Sequence, residues 1–457
     1  MLGMGLVMAT MYPISRLVKN MVEEKESRMR EVMKIMGLAD WALHMSWVCS
    51  GCLLFFWIAL TTWYVTTRSF IPKSDKTIIF LYFFLFCMSE AMFGMLLSVF
   101  FSNSKIASIC APVALFVCIL PRYIFFQSND EELQTEKYWA SLFSPTAFVF
   151  GADAIADYEY GGVGLQWDNI DDGAFSFLGC LQMMFVDIIL YGILAIYFDK
   201  VLPGEHGIAL GPFFFLKRKY WWPALEPADG DIYQEGSILD QMKEFEPVTK
   251  EQALKNDVER IPNSEKSRAQ VCLHGLRKRY PDGKLAVKKL SLTMLEGEIT
   301  CLLGANGAGK TTTIAVLTGL VSATAGDVQI YGHSLATDLQ SIRLKTGICP
   351  QHNVLFAALT VAEHLYFFGR IKGLQGEELD QAVTEVIQDV GLTEKRHALS
   401  DSLSGGMKRK LSLCIALMGD PKFVLLDEPT SGMDPYSRRS TWELLMRYRK
   451  DRVILLT

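Results

Sequence analysis

The sequence has few charges for its length and no large excess of either sign. Of its 457 residues, 45 are Lys or Arg and 50 are Asp or Glu, a net charge of −5. Charged residues make up 21%, against about 25% in an ordinary soluble domain. Without a basic surplus there is no support for a nucleic-acid partner. The ten cysteines show no zinc-site spacing. The first apolar run has no basic region before it and no small-residue cleavage site after it, so it makes a poor signal peptide. What is abundant is apolar: 50% hydrophobic and 12% aromatic residues, with a mean hydropathy of +0.20. Such a chain is neither disordered nor collagenous nor a coiled coil. These averages fit neither a purely soluble enzyme nor a pure membrane protein, which points to two unlike halves.

The shortage of charge is concentrated in one half. Between Trp41 and Phe125 there are only seven charges: Arg68, Lys73, Asp75, Lys76, Glu90, Lys105 and Arg122. From about Pro223 onward charges come every few residues. A bilayer core needs about 20 consecutive apolar residues in a helix. Ala42–Val65, Thr77–Phe101, Ile106–Phe126 and Ala174–Phe198 meet that need. A fifth run, Leu2–Val18, is shorter and interrupted by Pro13 and Arg16. Residues 1–222 are therefore expected to form an all-α transmembrane domain of about five helices in an integral, multi-pass membrane protein.

Orientation follows from the nucleotide chemistry described below, which belongs in the cytosol. Counting spans back from it places Gln127–Gly173 and Thr66–Lys76 outside, and Ser102–Lys105 and Lys19–Asp40 inside. Arg16 to Lys34 hold six Lys or Arg, whereas Gln127–Gly173 hold ten acids and one Lys. This agrees with the positive-inside rule. Lys200, Lys217, Arg218 and Lys219 flank the last span, with Tyr220, Trp221 and Trp222 as interface aromatics.

Four features of this half have two readings each. The charged, helix-forming segment Glu23–Leu38 either touches a cytosolic domain or lies on the membrane surface. Pro145–Asp172 is either a re-entrant hairpin or a small outer cap. Glu90, near mid-span, is a functional-site candidate by default, weighed against a Glu packed and bonded to a neighbouring helix, which is favoured. Cys49 and Cys52 form a C-x-x-C, but the small residues between them fit helix packing better than redox chemistry.

Residues 223–267 are polar and carry Pro223, Pro227, Pro247 and Pro262, and read as a linker. The remainder, 268–457, has the marks of an α/β P-loop NTPase. A β-rich start over Ala269–Tyr280 is followed by a turn at Pro281–Asp282–Gly283. The apolar strand Ile299–Leu303 then runs into Gly304-Ala305-Asn306-Gly307-Ala308-Gly309-Lys310-Thr311-Thr312. This is the Walker A pattern: glycines let backbone N–H groups face phosphate oxygens, aided by the following helix N-terminus. Lys310 would reach the β- and γ-phosphates of ATP or GTP, and Thr311 would hold Mg²⁺. A second apolar strand, Phe423–Leu426, delivers Asp427 and Glu428 at its end. That is the Walker B arrangement, with Asp427 on Mg²⁺ and Glu428 as general base. The competing reading, a capping pair at a strand end, loses force with Walker A upstream.

Leu403-Ser404-Gly405-Gly406-Met407 stands about twenty residues before Walker B. With that spacing the chain resembles an ABC transporter, whose signature is LSGGQ; here Met407 replaces the Gln. Gln351 matches the family's Q-loop, which senses Mg²⁺ and contacts the membrane domain. Ser431-Gly432-Met433-Asp434 matches its D-loop, and Tyr280 is the candidate to stack on adenine rather than only pack on the sheet. The stretches EKESRMREVMKIMGL, SPTAF, GLQWDN, CPQHNVLF, LTVAEHL and DEPTSGMDPYSRRSTWE extend the resemblance to subfamily A, the lipid-transporting group, over nearly the whole chain.

The resemblance implies an ATP hydrolase that couples its cycle to lipid movement. Alternatives are export of other hydrophobic compounds and ATP-gated regulation of a partner; intact Glu428 argues against the last. It implies that the 23–38 region is a coupling helix and that 145–172 corresponds to paired outer helices. Two nucleotide domains would close head-to-tail, with Ser404, Gly405 and Gly406 facing the partner's ATP. The partner is thus a second ABC half, in the same or another chain. The family's first helix and outer domain would precede residue 1, and its switch His would follow Thr457. The sequence is therefore expected to be a fragment cut at both ends, weak in nucleotide binding and hydrolysis by itself.

Overall fold

A computed structural model describes residues 2–124, 133–172, 175–202, 211–216, 261–262, 265–280 and 283–457. Most of the expected linker, the Lys217–Trp222 cluster and Pro281–Asp282 lie outside these residues. The chain divides into two compact units, Met1–Arg28 with Asp40–Gly204, and Met29–Ala39 with Glu205–Thr457.

The first unit is helical. Its elements are α1 (Leu2–Glu26), α3 (Asp40–Ser69), α4 (Lys76–Val99), α5 (Ser104–Val117), α6 (Pro121–Ile124), α7 (Gln134–Ala140), α8 (Ser144–Tyr160) and α9 (Phe177–Val201); α2 (Met29–Ile35) belongs to the second unit. Among the described residues four stretches are long and apolar enough to cross a membrane: α3, α4, Ser104–Ile124 and α9. Helix α1 is the fifth apolar helix and runs eight residues beyond the expected Val18. Side-chain caps set the helix starts. The Asp75 carboxylate accepts from the Thr77 and Ile78 amides, Asn103 from Lys105 and Ile106, and Ser176 from Gly179; each supplies an acceptor to amides that lack an intrahelical one.

Helix α4 is innermost, with 72% of its most apolar window buried against 22% for α3. It packs on α1, α3, α8 and α9. Tyr82, Phe86 and Phe148 stack at the α4–α8 contact. Gly51 explains the Cys49–Cys52 spacing: a Cβ added there would sit 3.4 Å from Ala91 Cβ. The two cysteines are free, so the small residues serve close helix approach. Outward-facing apolar side chains such as Leu53, Trp57, Ile109, Ile189 and Ile193 suit contact with lipid.

The Pro145–Asp172 region is neither a hairpin nor a pair of helices over its length. It is the single helix α8 followed by turns. Ten of the seventeen α8 residues are buried. The turns are tied to the α3–α4 connection. Glu159 accepts from the Lys73 amide at 2.8 Å and the Ser74 hydroxyl at 2.7 Å, and Leu165 N–H donates to Ser74 Oγ. These two segments therefore share one end of the bundle.

The helix expected over Glu23–Leu38 is broken. Helix α1 stops at Glu26, and α2 starts afresh at Met29. Arg28, between them, has φ 59°, a left-handed backbone that ends a right-handed helix.

The second unit contains two four-stranded sheets. One is antiparallel, in the order β2 (Leu285–Leu295), β1 (Ala269–Arg279), β4 (Ala325–Ile330), β5 (His333–Ser334). The other is parallel, in the order β3 (Glu298–Cys301), β8 (Val453–Leu456), β7 (Phe423–Leu426), β6 (Thr346–Cys349). Strands β6, β7 and β8 are buried at every residue, as expected for a parallel sheet covered on both faces. Among the described residues the unit also contains α10 (Lys310–Leu317), α11 (Leu339–Lys345), α12 (Val361–Ile371), α13 (Gly376–Val390), α14 (Gly405–Leu417) and α15 (Pro435–Tyr448). Helix α2 packs on β6 and α11, and Gln340 Nε2 donates to Gly37 O at 2.8 Å.

Candidate nucleotide site

The parallel sheet gathers the predicted site residues at one edge. In register, Cys301, Leu456, Leu426 and Cys349 form one row across β3, β8, β7 and β6. The chain leaves each strand just beyond that row, into the Walker A loop, Thr457, Asp427 and Pro350 respectively. Loops beyond the carboxyl ends of parallel strands are where α/β sheets bind ligands. One strand separates β3 from β7, so Walker A and Walker B start about 10 Å apart.

The Walker A loop runs from Gly304 into α10, whose N-cap is Gly309. Gly309 has φ 96°, and a Cβ there would lie 2.5 Å from Ala286 O; only glycine fits. Gly307 is also left-handed, at φ 81°. Asn306 and Thr311 are exposed. Lys310 Nζ donates to Gly304 O and Ala305 O at 2.5 and 3.1 Å, so its ammonium lies over the loop. Tyr280 Oη is 3.4 Å from Thr312 Oγ1, which brings that aromatic ring to the same loop.

On the Walker B side, Thr457 Oγ1 donates to Asp427 Oδ1 at 2.6 Å and accepts from the Glu428 amide at 3.1 Å. Glu428 is exposed and has φ 48°, an uncommon backbone for a residue with a side chain. Gln351 is exposed where β6 ends. Thr311, Gln351 and Asp427 supply hard oxygen donors, and their one carboxylate is already oriented by Thr457. That donor set suits Mg²⁺, which is commonly held by one or two carboxylates plus substrate phosphates. No cluster of three or more His, Cys, Asp or Glu exists among the described residues.

The signature occupies the start of α14. Ser404 is its N-cap and accepts from Met407 N at 3.3 Å; Gly405 and Gly406 have no atom near where a Cβ would project. In the D-loop, Asp434 caps α15 by accepting from Ser437 N at 2.9 Å. That bond holds the Asp434 carboxyl below the ordinary Asp range.

In the nucleotide unit, Arg409, Thr457 and His364 were not found from the sequence. Arg409, two residues past the signature, is 2% exposed. Thr457 bridges both Walker B residues. His364 accepts from Phe356 N through Nε2 at 2.9 Å, while Nδ1 lies 2.8 Å from Thr360 O. Only a neutral ring with hydrogen on Nδ1 satisfies both contacts, and burial pushes the imidazole below its ordinary pKa. In the membrane unit, Glu90 is fully packed and Thr10 Oγ1 lies 2.7 Å from its Oε1, in agreement with the bonded-to-a-neighbour reading. Asp187 on α9, not singled out in the sequence, is also buried. Neither of its oxygens has a hydrogen-bond partner among the described residues.

Comparison with known proteins accounts for both units. Residues 287–431 match the family described as ABC transporter, and residues 1–197 match the ABC-2 family transporter protein. The chain is 40% identical to the human retinal-specific phospholipid-transporting ATPase ABCA4 over 465 aligned residues, which is 99% of this chain and 20% of that protein. It is 36% identical to human ATP-binding cassette sub-family A member 2, covering 100% of this chain and 19% of the relative. It is also 36% identical to the mouse glucosylceramide transporter ABCA12, covering 99% of this chain and 18% of that one. The chain thus spans about a fifth of the length of these curated relatives. With an ABC-2 match over residues 1–197, an ABC transporter match over 287–431 and 36–40% identity to sub-family A proteins along its whole length, the chain is similar to the ABC transporters of subfamily A.

Proposed function

We propose that this chain is the membrane segment and ATPase segment of an ATP-driven lipid transporter. The observation that supports this best is the convergence of the Walker A loop, Gln351, Asp427 and Glu428 at one edge of one parallel sheet. The lipid assignment rests on relatives named as transporters of phospholipid and glucosylceramide.

In this reading the Gly304–Thr312 loop wraps the phosphates with its N–H groups. Lys310 moves its ammonium from the loop carbonyls to the phosphate oxygens. Tyr280 stacks on adenine. Thr311, Gln351 and Asp427 hold Mg²⁺, which when bound neutralises phosphate charge. Glu428, carried outward by its left-handed backbone, orients the attacking water and takes its proton. Ser404, Gly405 and Gly406 face the ATP of a second ABC half. The second unit lies in the cytosol, and α2 with Gly37 serves as the coupling segment.

The test is ATP turnover by the transporter, assembled with its second half in nanodiscs of defined lipid. Glu428→Gln should lower turnover by about 10²-fold or more while leaving ATP binding intact, and phospholipid should stimulate the wild type. Turnover by the Gln variant at the wild-type rate would remove Glu428 from the chemistry. Stimulation by hydrophobic drugs without any response to lipid would replace the lipid assignment with the wider exporter reading.

A further inference from the structure

Arg409 is a buried cation that bonds no carboxylate among the described residues. Its guanidinium instead donates to five backbone carbonyls. Nε bonds Pro429 O at 3.1 Å; Nη1 bonds Pro350 O at 2.5 Å and Gln351 O at 3.2 Å; Nη2 bonds Asp427 O at 2.5 Å and Glu428 O at 2.8 Å. An arginine has five N–H donors in a rigid planar fork, and here every one is used. Burying such a charge is costly unless it is fully hydrogen-bonded, so the arrangement is held to one geometry.

Those five acceptors are not scattered. Pro350 and Gln351 are the start of the Q-loop, just past β6. Asp427, Glu428 and Pro429 follow β7. The two strands are paired, and their chains diverge where the guanidinium sits; Asp427 N–H donates to Cys349 O at 2.9 Å beside it. The arginine itself projects from the first turns of α14, the helix capped by signature Ser404. One side chain therefore ties three sequence-distant motifs together.

The contact with Glu428 has a particular consequence. Its backbone sits at φ 48°, a sparsely populated conformation for a residue with a side chain, kept only where the surroundings hold it. Arg409 holds the Glu428 carbonyl and Thr457 holds its amide. Released from Arg409, the peptide can relax toward a right-handed conformation and swing the carboxylate off the site. The Walker A loop has no bond to Arg409, so nucleotide binding does not depend on it in the same way.

We infer that Arg409 is a positioning residue for hydrolysis, fixing Glu428 and the Q-loop relative to the signature helix without touching nucleotide. The inference rests on the proposed role of Glu428, and the experiment separates the two. In the assembled transporter in nanodiscs, ATP turnover and fluorescent-ATP affinity are measured for Arg409→Lys, Glu428→Gln and the double variant. Lysine keeps the charge but has three donors on a point-like head, too few for five carbonyls. Arg409→Lys should lower kcat roughly tenfold or more, the scale of an ångström-size misplacement, with ATP affinity within about twofold. In the Glu428→Gln background the same change should add nothing further to the loss, because both act through one group.

Wild-type kcat in Arg409→Lys alongside an inactive Glu428→Gln overturns the inference and leaves the base assignment standing. Activity in Glu428→Gln overturns the base assignment itself. A parallel loss of affinity and turnover shows a merely structural role. Arg409→Gln, which retains an amide donor, is read the same way if the lysine variant does not fold. Failure of both variants to fold also overturns the inference, since the residue then serves the fold.

Discussion

The two units place polar groups in opposite ways. The membrane unit turns Trp57, Ile189 and Ile193 outward and buries Glu90 and Asp187. The nucleotide unit buries four-residue apolar strands and exposes Asn306, Gln351 and Glu428. Four of the buried groups named above also differ in their partners. Arg409 and His364 are buried with the hydrogen-bond partners their chemistry calls for. Glu90 Oε2 and both Asp187 oxygens lack any among the described residues. Arg409 and His364 serve as fasteners that hold the loops beside the nucleotide site. In the membrane unit Glu90 and Asp187 sit on the inner faces of helices whose packing is otherwise apolar and aromatic.

The comparison is broken most severely by the same substitution in each unit, Gly→Ala. At Gly309 the new Cβ meets a backbone oxygen at 2.5 Å and the residue sits at φ 96°. The Walker A loop cannot keep its shape, and ATP binding should become undetectable in a fluorescent-nucleotide titration. At Gly94 on α4 the Cβ would approach Ile14, Leu17 and Val18 at 3.4–3.5 Å, in a regular helix. There the flexible side-chain ends can shift, and the variant should bind ATP like wild type with a melting temperature within a few degrees. Normal ATP affinity in Gly309→Ala would show that this glycine is not required by the loop.

How much of this was legible in the sequence depended on distance along the chain. Walker A, Walker B and the signature are each read within a few residues, because glycine, a terminal Lys or Asp and a strand or helix boundary suffice. The apolar helices were visible for the same reason. Arg409 was not, since its partners lie 18 to 59 residues away and a basic residue on a helix after the signature reads as solvated surface. Thr457 gives no signal beyond ending a strand. The α1–α2 break was hidden because Ser27 and Arg28 are neither Gly nor Pro, although Arg28 takes a left-handed turn. Asp187 was passed over inside a strongly apolar run, where one acid barely lowers the mean hydropathy.

A smaller effect sharpens the claim about fasteners. His364 joins the segment after the Q-loop to the start of α12, and it does so only when neutral. Its pKa is lowered by burial, so the folded state takes up a proton less readily than the unfolded chain, whose imidazole titrates near 6.5. The stabilisation it gives is present above about pH 6.5 and is lost as pH falls through the lowered folded value. Protection of the Phe356 amide, its hydrogen exchange relative to an unprotected peptide at the same pH, should therefore weaken as the pH is lowered from 7.5 through the folded-state value. Leaving that amide without an acceptor costs about 1–3 kcal/mol, so in His364→Phe the amide should be weakly protected at every pH. Stronger protection of that amide at low pH than at pH 7.5 in the wild type would reverse the sign and remove the neutral-ring assignment.

The smallest expected effect tests the other side of the comparison. Thr10 Oγ1 lies 2.8 Å from Val7 O and 2.7 Å from Glu90 Oε1. A hydroxyl has a single hydrogen and cannot donate to both. If Thr10 gives its hydrogen to Val7 O, the residue at 90 must act as the donor to Thr10. Glutamine does that with its amide N–H, at nearly the volume of glutamate. Glu90→Gln should thus leave the melting temperature of the purified protein within about 2 °C, since a ΔΔG near zero moves Tm little. Glu90→Ala removes the partner and opens a cavity beside α1, costing more than the amide variant. Lipid transport assayed in the same two variants gives the decisive contrast. If Glu90 only packs, Glu90→Gln transports at the wild-type rate. A large loss of transport in a variant of unchanged stability would make the intramembrane carboxylate a working group, and the two units would then differ less than their partnering suggests.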